Sequence, residues 1–162
     1  MYKQHLLQNI EREYILLKQI IPLIEEKDLS YRQSEKVRST LELMQYLSTI
    51  GTTMLRWFML NDLTKEEFAK LKAYRETLTI ADFSERLDKQ FEEVKRYFGM
   101  FSEEDLYTKE VELPSKEKMI LGIAIINCPI KWLATYRMQL FFNLKASGNH
   151  AISTKEAWTI TA

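Results

Sequence analysis

Few side chains in this sequence can do acid–base, nucleophilic or metal chemistry. The chain contains two histidines, His5 and His150, and one cysteine, Cys128. One copy of the chain therefore cannot supply a site of three imidazoles. Cys128 is a candidate nucleophile or ligand, but no histidine stands at a spacing that would activate it, which favours a buried and unreactive thiol. We expect His5 to be exposed on the first helix and His150 to be solvated.

Composition limits the class of protein. The chain has 162 residues, 46% hydrophobic and 28% charged, which suits a single domain over residues 1–162. Its 23 basic side chains balance 23 acidic ones, so the basic field of a nucleic-acid-binding protein is missing. A lone cysteine fits a reducing compartment, and no apolar run approaches the roughly 20 residues of a membrane span. The sequence predicts a cytoplasmic protein that binds neither membranes nor nucleic acids.

The elements that position these side chains are predicted to be helices, because four glycines and three prolines leave little room for the many turns of an all-β fold. Apolar residues at three- and four-residue steps predict a first helix over residues 3–25, broken near Pro22. The spacing of Ser39 and Glu42 is that of a capping box. It indicates a second helix that opens at Ser39, or one turn earlier near Ser34, and continues to about residue 60.

The same spacing recurs further along the chain. Thr64 and Glu67 predict a short charged helix to about residue 75, and Asp82 and Glu85 predict a third long helix to about residue 98. Residues 106–113 are predicted to be extended. Pro114 and Ser115 then open a last helix over residues 116–145, which Pro129 should bend. Residues 150–162 are predicted to form a loop that lays Trp158 over the helices.

Two stretches resemble the DinB/YfiT-like superfamily of bacterial proteins. The run from Ser39 to Leu47 is similar to the second-helix signature, a serine-x-x-glutamate start that leads to a histidine-leucine pair. The run from Trp132 to Leu140 is similar to the last-helix signature, in which spaced histidines precede an arginine-glycine-glutamine-leucine motif. Glycine after the last helix fits as well, so the resemblance spans nearly the whole chain.

The resemblance implies an all-α fold, a four-helix bundle with an up-down-down-up path, and a homodimer. In metal-binding members, one histidine of helix two and two histidines of helix four hold a divalent ion. Here these positions fall on Tyr46, Trp132 and Tyr136. Tryptophan has no lone pair for a metal, and tyrosine must lose a proton near pH 10 before it ligates well. The usual metal site is therefore absent, and no metal or cofactor is expected.

The candidate binding residues are Tyr46, Trp132, Tyr136, Cys128 and Gln139. The three aromatic rings either fill the space of the lost ion as a packed plug or line a pocket for a planar or cationic small molecule. Cys128 lies one turn before Trp132. Gln139 matches a family position and is expected to make a hydrogen bond between helices. Arg137 is expected to pair with an acid of a neighbouring helix at the surface, the alternative being that it holds an anionic ligand at the mouth of the pocket.

Two functions follow from these residues. The first is a small-molecule-binding or interaction protein that has lost the metal ligands. The second is a metal- or thiol-dependent transferase or hydrolase in the same cavity, with unconventional ligands such as Tyr46, Tyr136 and His5 or with the Cys128 thiol.

Overall fold

The computed structural model describes residues 1–113 and 115–161 and is mostly helical, in line with the predicted all-α class. Its first helix, α1, is Tyr2–Ile20, and a 3₁₀ turn, Ile21–Leu23, follows it. Pro22 stands at the start of that turn, so the predicted break is confirmed. A second 3₁₀ turn, Glu26–Asp28, leads into the irregular segment before the next helix.

Capping boxes begin several of the described helices. Ser39 accepts a hydrogen bond from the Glu42 amide at 3.2 Å and opens α2, Thr40–Leu47. Thr64 does the same with Glu67 for α4, Lys65–Glu76, which confirms both predicted starts. The predicted start at Asp82 is wrong: Asp82 is the third residue of α5, Ile80–Gly99, and closes a box on Thr79. The box lies one turn earlier because Thr79 is the residue with extended backbone.

The second predicted helix is not continuous. After α2 the chain turns at Ser48 and Thr49, resumes as α3, Ile50–Met54, and widens into a π-helical segment, Leu55–Leu60. Asn61 ends it in the left-handed conformation, with φ of 56°. The break escaped the sequence pattern because apolar residues keep helical spacing across it.

The extended segment predicted over residues 106–113 is confirmed for its later part, which forms one strand of a two-stranded hairpin, and is wrong for residues 106–108, which are helical. The second strand replaces the start of the predicted last helix. The short helix α6, Asp105–Thr108, precedes β1, Glu110–Glu112, which pairs antiparallel with β2, Lys118–Ile120. Val111 stands opposite Met119 in the register. The prediction that the last helix starts at residue 116 is therefore wrong for the described residues, and Pro114 lies outside them.

The last long helical segment begins at α7, Leu121–Ile125, passes through a π-helical segment, Ile126–Ile130, and continues as α8, Lys131–Ala146. Pro129 lies in the π-helical segment, where its missing amide breaks the regular hydrogen bonding as predicted. The predicted C-terminal loop contains a further short helix, α9, Thr154–Trp158. Ala162 lies outside the described residues.

The long helices pack around one apolar cluster. α1 contacts α5, α8 and α9, α2 contacts α8 and α4, and α3 contacts α5. Leu17, Leu47, Phe83 and Leu140 are fully buried and represent the four long segments in the core. None of the helices in the described part of the chain has the length and hydropathy needed to cross a membrane.

Candidate functional site

The aromatic side chains of Tyr46, Trp132 and Tyr136 lie together. Tyr46 is on α2 and Trp132 and Tyr136 are one turn apart on α8, and these two helices are in contact. The Tyr46 and Tyr136 rings meet edge to face with their centroids 5.0 Å apart, and the Trp132 ring is 6.3 Å from that of Tyr136. All three side chains are half-buried.

These rings do not fill the space completely. A cavity of about 300 Å³ remains beside them, and Tyr46 and Trp132 are on its wall. The rest of the wall comes from the α3 region with its π-helical continuation, from α4 and from the segment before α2. These residues are Thr49, Ile50, Thr53, Met54, Trp57, Phe58, Phe68, Arg75 and Arg38. Tyr136 and Gln139 line a neighbouring groove, which shares Arg38 with the cavity. Two of the three rings therefore line a cavity, and the third packs against Tyr46.

Two positive charges lie over the Tyr46 ring. The guanidinium carbon of Arg38, the residue before the α2 cap, is 4.0 Å from the ring centroid, and that of Arg75, in the last turn of α4, is 5.5 Å from it. Burial raises the pKa of Tyr46 to about 12, and the nearby Tyr136 phenol adds to that rise. Tyr46 therefore stays protonated at neutral pH and is a poor metal ligand in this state.

Arg75 is only half-exposed. Burial lowers the pKa of its guanidinium, and the charge of Arg38 lowers it further. In the described part of the chain neither Arg38 nor Arg75 makes an ion pair with an acid. The cavity is thus an aromatic pocket with a positive rim.

Cys128 does not line this pocket, although it contacts Met54, which does. It is 1% exposed in the π-helical segment before α8, and its Sγ is 3.3 Å from Sδ of Met54. Burial raises the pKa of the Cys128 thiol to about 12. The thiol is therefore uncharged at neutral pH, as expected for the buried and unreactive alternative.

The remaining singled-out residues have clear positions. His5 and His150 are exposed, and neither lines the cavity. Gln139 is half-buried, and its expected hydrogen bond between helices is not among those made by residues 1–113 and 115–161. Arg137 does pair with an acid of a neighbouring helix, Glu13 of α1 at 2.7 Å, but the expectation of a surface pair is wrong because Arg137 is 4% exposed.

Sequence reasoning missed Arg38, Arg75 and the α4 side of the pocket. The two arginines are far apart in the chain, one in an irregular segment and one on the short charged helix α4. The sequence does contain one indication that α4 packs against the rest of the protein: Phe68 is an apolar residue within this charged helix. Its ring lies 4.6 Å from that of Trp57 and closes one side of the pocket.

No family model matches the chain, and no curated protein matches it either. Across the described ranges, no group of three or more His, Cys, Asp or Glu side chains is arranged to hold a metal ion.

Proposed function

We propose that this chain is a DinB/YfiT-like four-helix bundle that lacks the three metal-binding histidines and binds a small molecule in the Tyr46–Trp132 cavity. The observation that carries the proposal is the cavity of about 300 Å³ beside the rings at the family's ligand positions. Its size is at the lower end of small-molecule sites, and its mixture of aromatic walls and a few polar groups is typical of them. The proposal includes a cytoplasmic homodimer with an up-down-down-up helix path.

The order of the long helices supports the bundle. α1, the α2–α3 segment, α5 and the α7–α8 segment stand in the order that the family resemblance implies, with the hairpin before the last of them. The two segments that carry the family's ligand positions, α2 and α8, pack against each other. A ligand in the cavity would touch Tyr46 and Trp132, two of the three positions that the resemblance aligns with metal ligands.

The three tryptophans of the chain provide a direct test. Trp57 and Trp132 line the cavity, whereas Trp158 is on α9, where Arg137 lies 6.0 Å from its ring centroid. We expect a neutral planar probe, 2-naphthylmethanol, to shift the indole N–H signals of Trp57 and Trp132 in a two-dimensional NMR titration. The Trp158 signal serves as the internal control. Saturable shifts at the first two signals alone would support the proposal, and equal shifts at all three, or none, would contradict it.

The geometry gives less support to an enzyme that uses a metal or a thiol. The Cys128 thiol has a raised pKa of about 12 and lies against Met54, so it is a weak nucleophile at neutral pH. We expect protein purified without chelator to carry no stoichiometric nickel, zinc or iron by mass spectrometry. A stoichiometric metal that disappears in Tyr136→Phe would contradict our proposal and favour the enzyme.

A further inference from the structure

The positive charge at the rim of the cavity indicates the chemical class of ligand that the cavity binds. We infer that the cavity binds a small organic oxyanion, a carboxylate or phosphate on a flat apolar body, with its negative group held by Arg38 and Arg75. The inference rests on the proposed function, since it assigns a ligand class to the same cavity.

Charge is the first step of the argument. Both guanidinium groups lie over one ring, at 4.0 and 5.5 Å from the Tyr46 centroid, so two like charges share one small space. Arg38 also lies 5.6 Å from the centroid of the Tyr136 ring. An oxyanion between the two groups would relieve their mutual repulsion and replace the water that Arg75 has partly lost.

The acids nearest to the rim do not neutralise it. Glu42 and Glu76 do not line the cavity but line a neighbouring depression together with Arg38 and Arg75. One carboxylate oxygen of Glu42 accepts a bond from Arg32 at 3.2 Å, and the other accepts one from the Ser39 amide at 2.8 Å, so Glu42 is engaged in the α2 cap. Glu76 is exposed and makes no ion pair with Arg75 among the described residues, although its charge acts on that group. The rim therefore keeps a net positive charge toward the cavity.

The walls define the rest of the ligand. Trp57, Phe58, Phe68 and Trp132 offer flat apolar surface, and about 300 Å³ holds roughly a dozen non-hydrogen atoms at protein packing density. A cationic ligand would bring a third positive charge to rings that the arginines already cover. Guanidinium groups bind the planar carboxylate and the tetrahedral phosphate equally well in geometry, so both belong to the inferred class.

The test compares probes that share one ring system: 2-naphthoate, 2-naphthyl phosphate and the neutral 2-naphthylmethanol. We expect at least one of the two anions to bind at least tenfold more tightly than the alcohol, measured by the Trp57 and Trp132 indole shifts. Arg38→Gln and Arg75→Gln should each weaken the anion at least tenfold and weaken the alcohol by a much smaller factor, because they remove the charge that only the anion uses. Comparing the two anions then separates carboxylate from phosphate.

Arg96→Gln is the matched control, because Arg96 also lies over a tyrosine ring, 4.4 Å from the Tyr97 centroid, and is exposed outside the cavity. It should change neither affinity. Circular dichroism checks the fold of each variant, and Arg75→Lys replaces Arg75→Gln if the latter is unfolded, with a smaller loss expected. Equal affinity for anions and alcohol, unchanged by the arginine variants, would overturn the inference and leave the small-molecule site intact. Absence of binding by every probe would instead overturn the proposed function.

Discussion

One close approach in the core depends on the absence of a side chain at Gly51. A Cβ atom there would lie 2.3 Å from the Tyr14 hydroxyl and 2.9 Å from Oε1 of Gln90. Gln90 cannot easily withdraw, because its Oε1 accepts a bond from the Gly51 amide at 2.7 Å and its Nε2 donates to the Leu47 carbonyl at 2.9 Å. Gln90 of α5 therefore bonds to backbone groups on both sides of the break between α2 and α3.

We expect Gly51→Ala to destabilise the protein by about 1–3 kcal/mol, the usual range for overpacking a core. Alanine gains at most about 1 kcal/mol in helix propensity over glycine, so the clash decides the sign. Urea unfolding measures the change. Gly99→Ala is the control, because a Cβ at Gly99 meets no atom within 4 Å. A Gly51→Ala variant as stable as the control would refute the close contact.

The steric clash expected in Gly51→Ala can be relieved by a second substitution, at Tyr14. This buried oxygen has no hydrogen-bond partner among the described residues, and burial raises the pKa of Tyr14 well above its ordinary value. Tyr14→Phe removes the oxygen, so we expect it to be neutral or stabilising alone and to restore at least half of the loss in the Gly51→Ala background. Additive effects in a double-mutant cycle would show that the two residues do not touch.

At the scale of single residues, part of the proposed site came from the sequence. Tyr46, Trp132 and Tyr136 were singled out by the resemblance to two helix signatures, and the structure brings their rings together. Arg38 and Arg75 did not come from any signature, because their importance depends on a meeting of an irregular segment with the end of α4. Local spacing carries no information about such a contact between distant parts of the chain.

At the scale of helices, a buried ion pair joins α1 to α8. Arg137 is 4% exposed and Glu13 is 12% exposed, and Arg137 also donates to the Ala157 carbonyl of α9. We expect Glu13→Gln to cost about 3–5 kcal/mol in the free energy of unfolding, because it leaves a buried guanidinium without its charge partner.

The comparison for this pair is Glu85→Gln, which breaks the exposed pair of Glu85 and Lys89 on α5. Such surface pairs contribute about 0–1 kcal/mol, so this variant should unfold at nearly the wild-type urea concentration. If the two variants lost the same stability, the Arg137 pair would not be buried in solution as it is in the structure.

Helix starts could be predicted from sequence better than helix continuity. Ser39 with Glu42 and Thr64 with Glu67 marked their helices correctly because a capping box is a local hydrogen-bond pattern. The break after Leu47 was missed because Gln90, from another helix, satisfies the freed backbone groups. The hairpin was predicted only in part: β1 lies in the segment expected to be extended, whereas the three residues of β2 fall in the segment predicted as the start of the last helix.

At the scale of the whole molecule, Asp28 connects the two halves of the chain. It is fully buried after α1 and accepts hydrogen bonds from Ser147 Oγ at 2.6 Å and Asn149 Nδ2 at 2.8 Å, just beyond α8. Burial raises the pKa of Asp28, but these bonds and one from the Glu25 amide outweigh it, so the pKa is lowered overall.

Because the folded-state pKa is below the unfolded value of about 3.9, Asp28 contributes stability that is complete above about pH 5. This contribution is lost as the pH falls through the folded-state pKa. We expect Asp28→Asn to cost about 1–3 kcal/mol at pH 7 and progressively less toward pH 2, measured by urea unfolding at each pH. Asp88→Asn, at an exposed pair with Lys18, should cost little at any pH. A loss at Asp28 that stayed constant with pH would contradict the assignment.

The burial of Cys128 has a practical consequence for measuring conformational changes of this protein with site-specific labels. Its sulfur is enclosed beside Met54, so maleimide and methanethiosulfonate reagents should leave the native chain unlabelled. A cysteine introduced at an exposed position would then be the one attachment point for a spin label or fluorophore, with no native thiol to remove first. Pairs of such labels on α4 and α8 would report whether these two helices move relative to each other when a ligand enters the cavity.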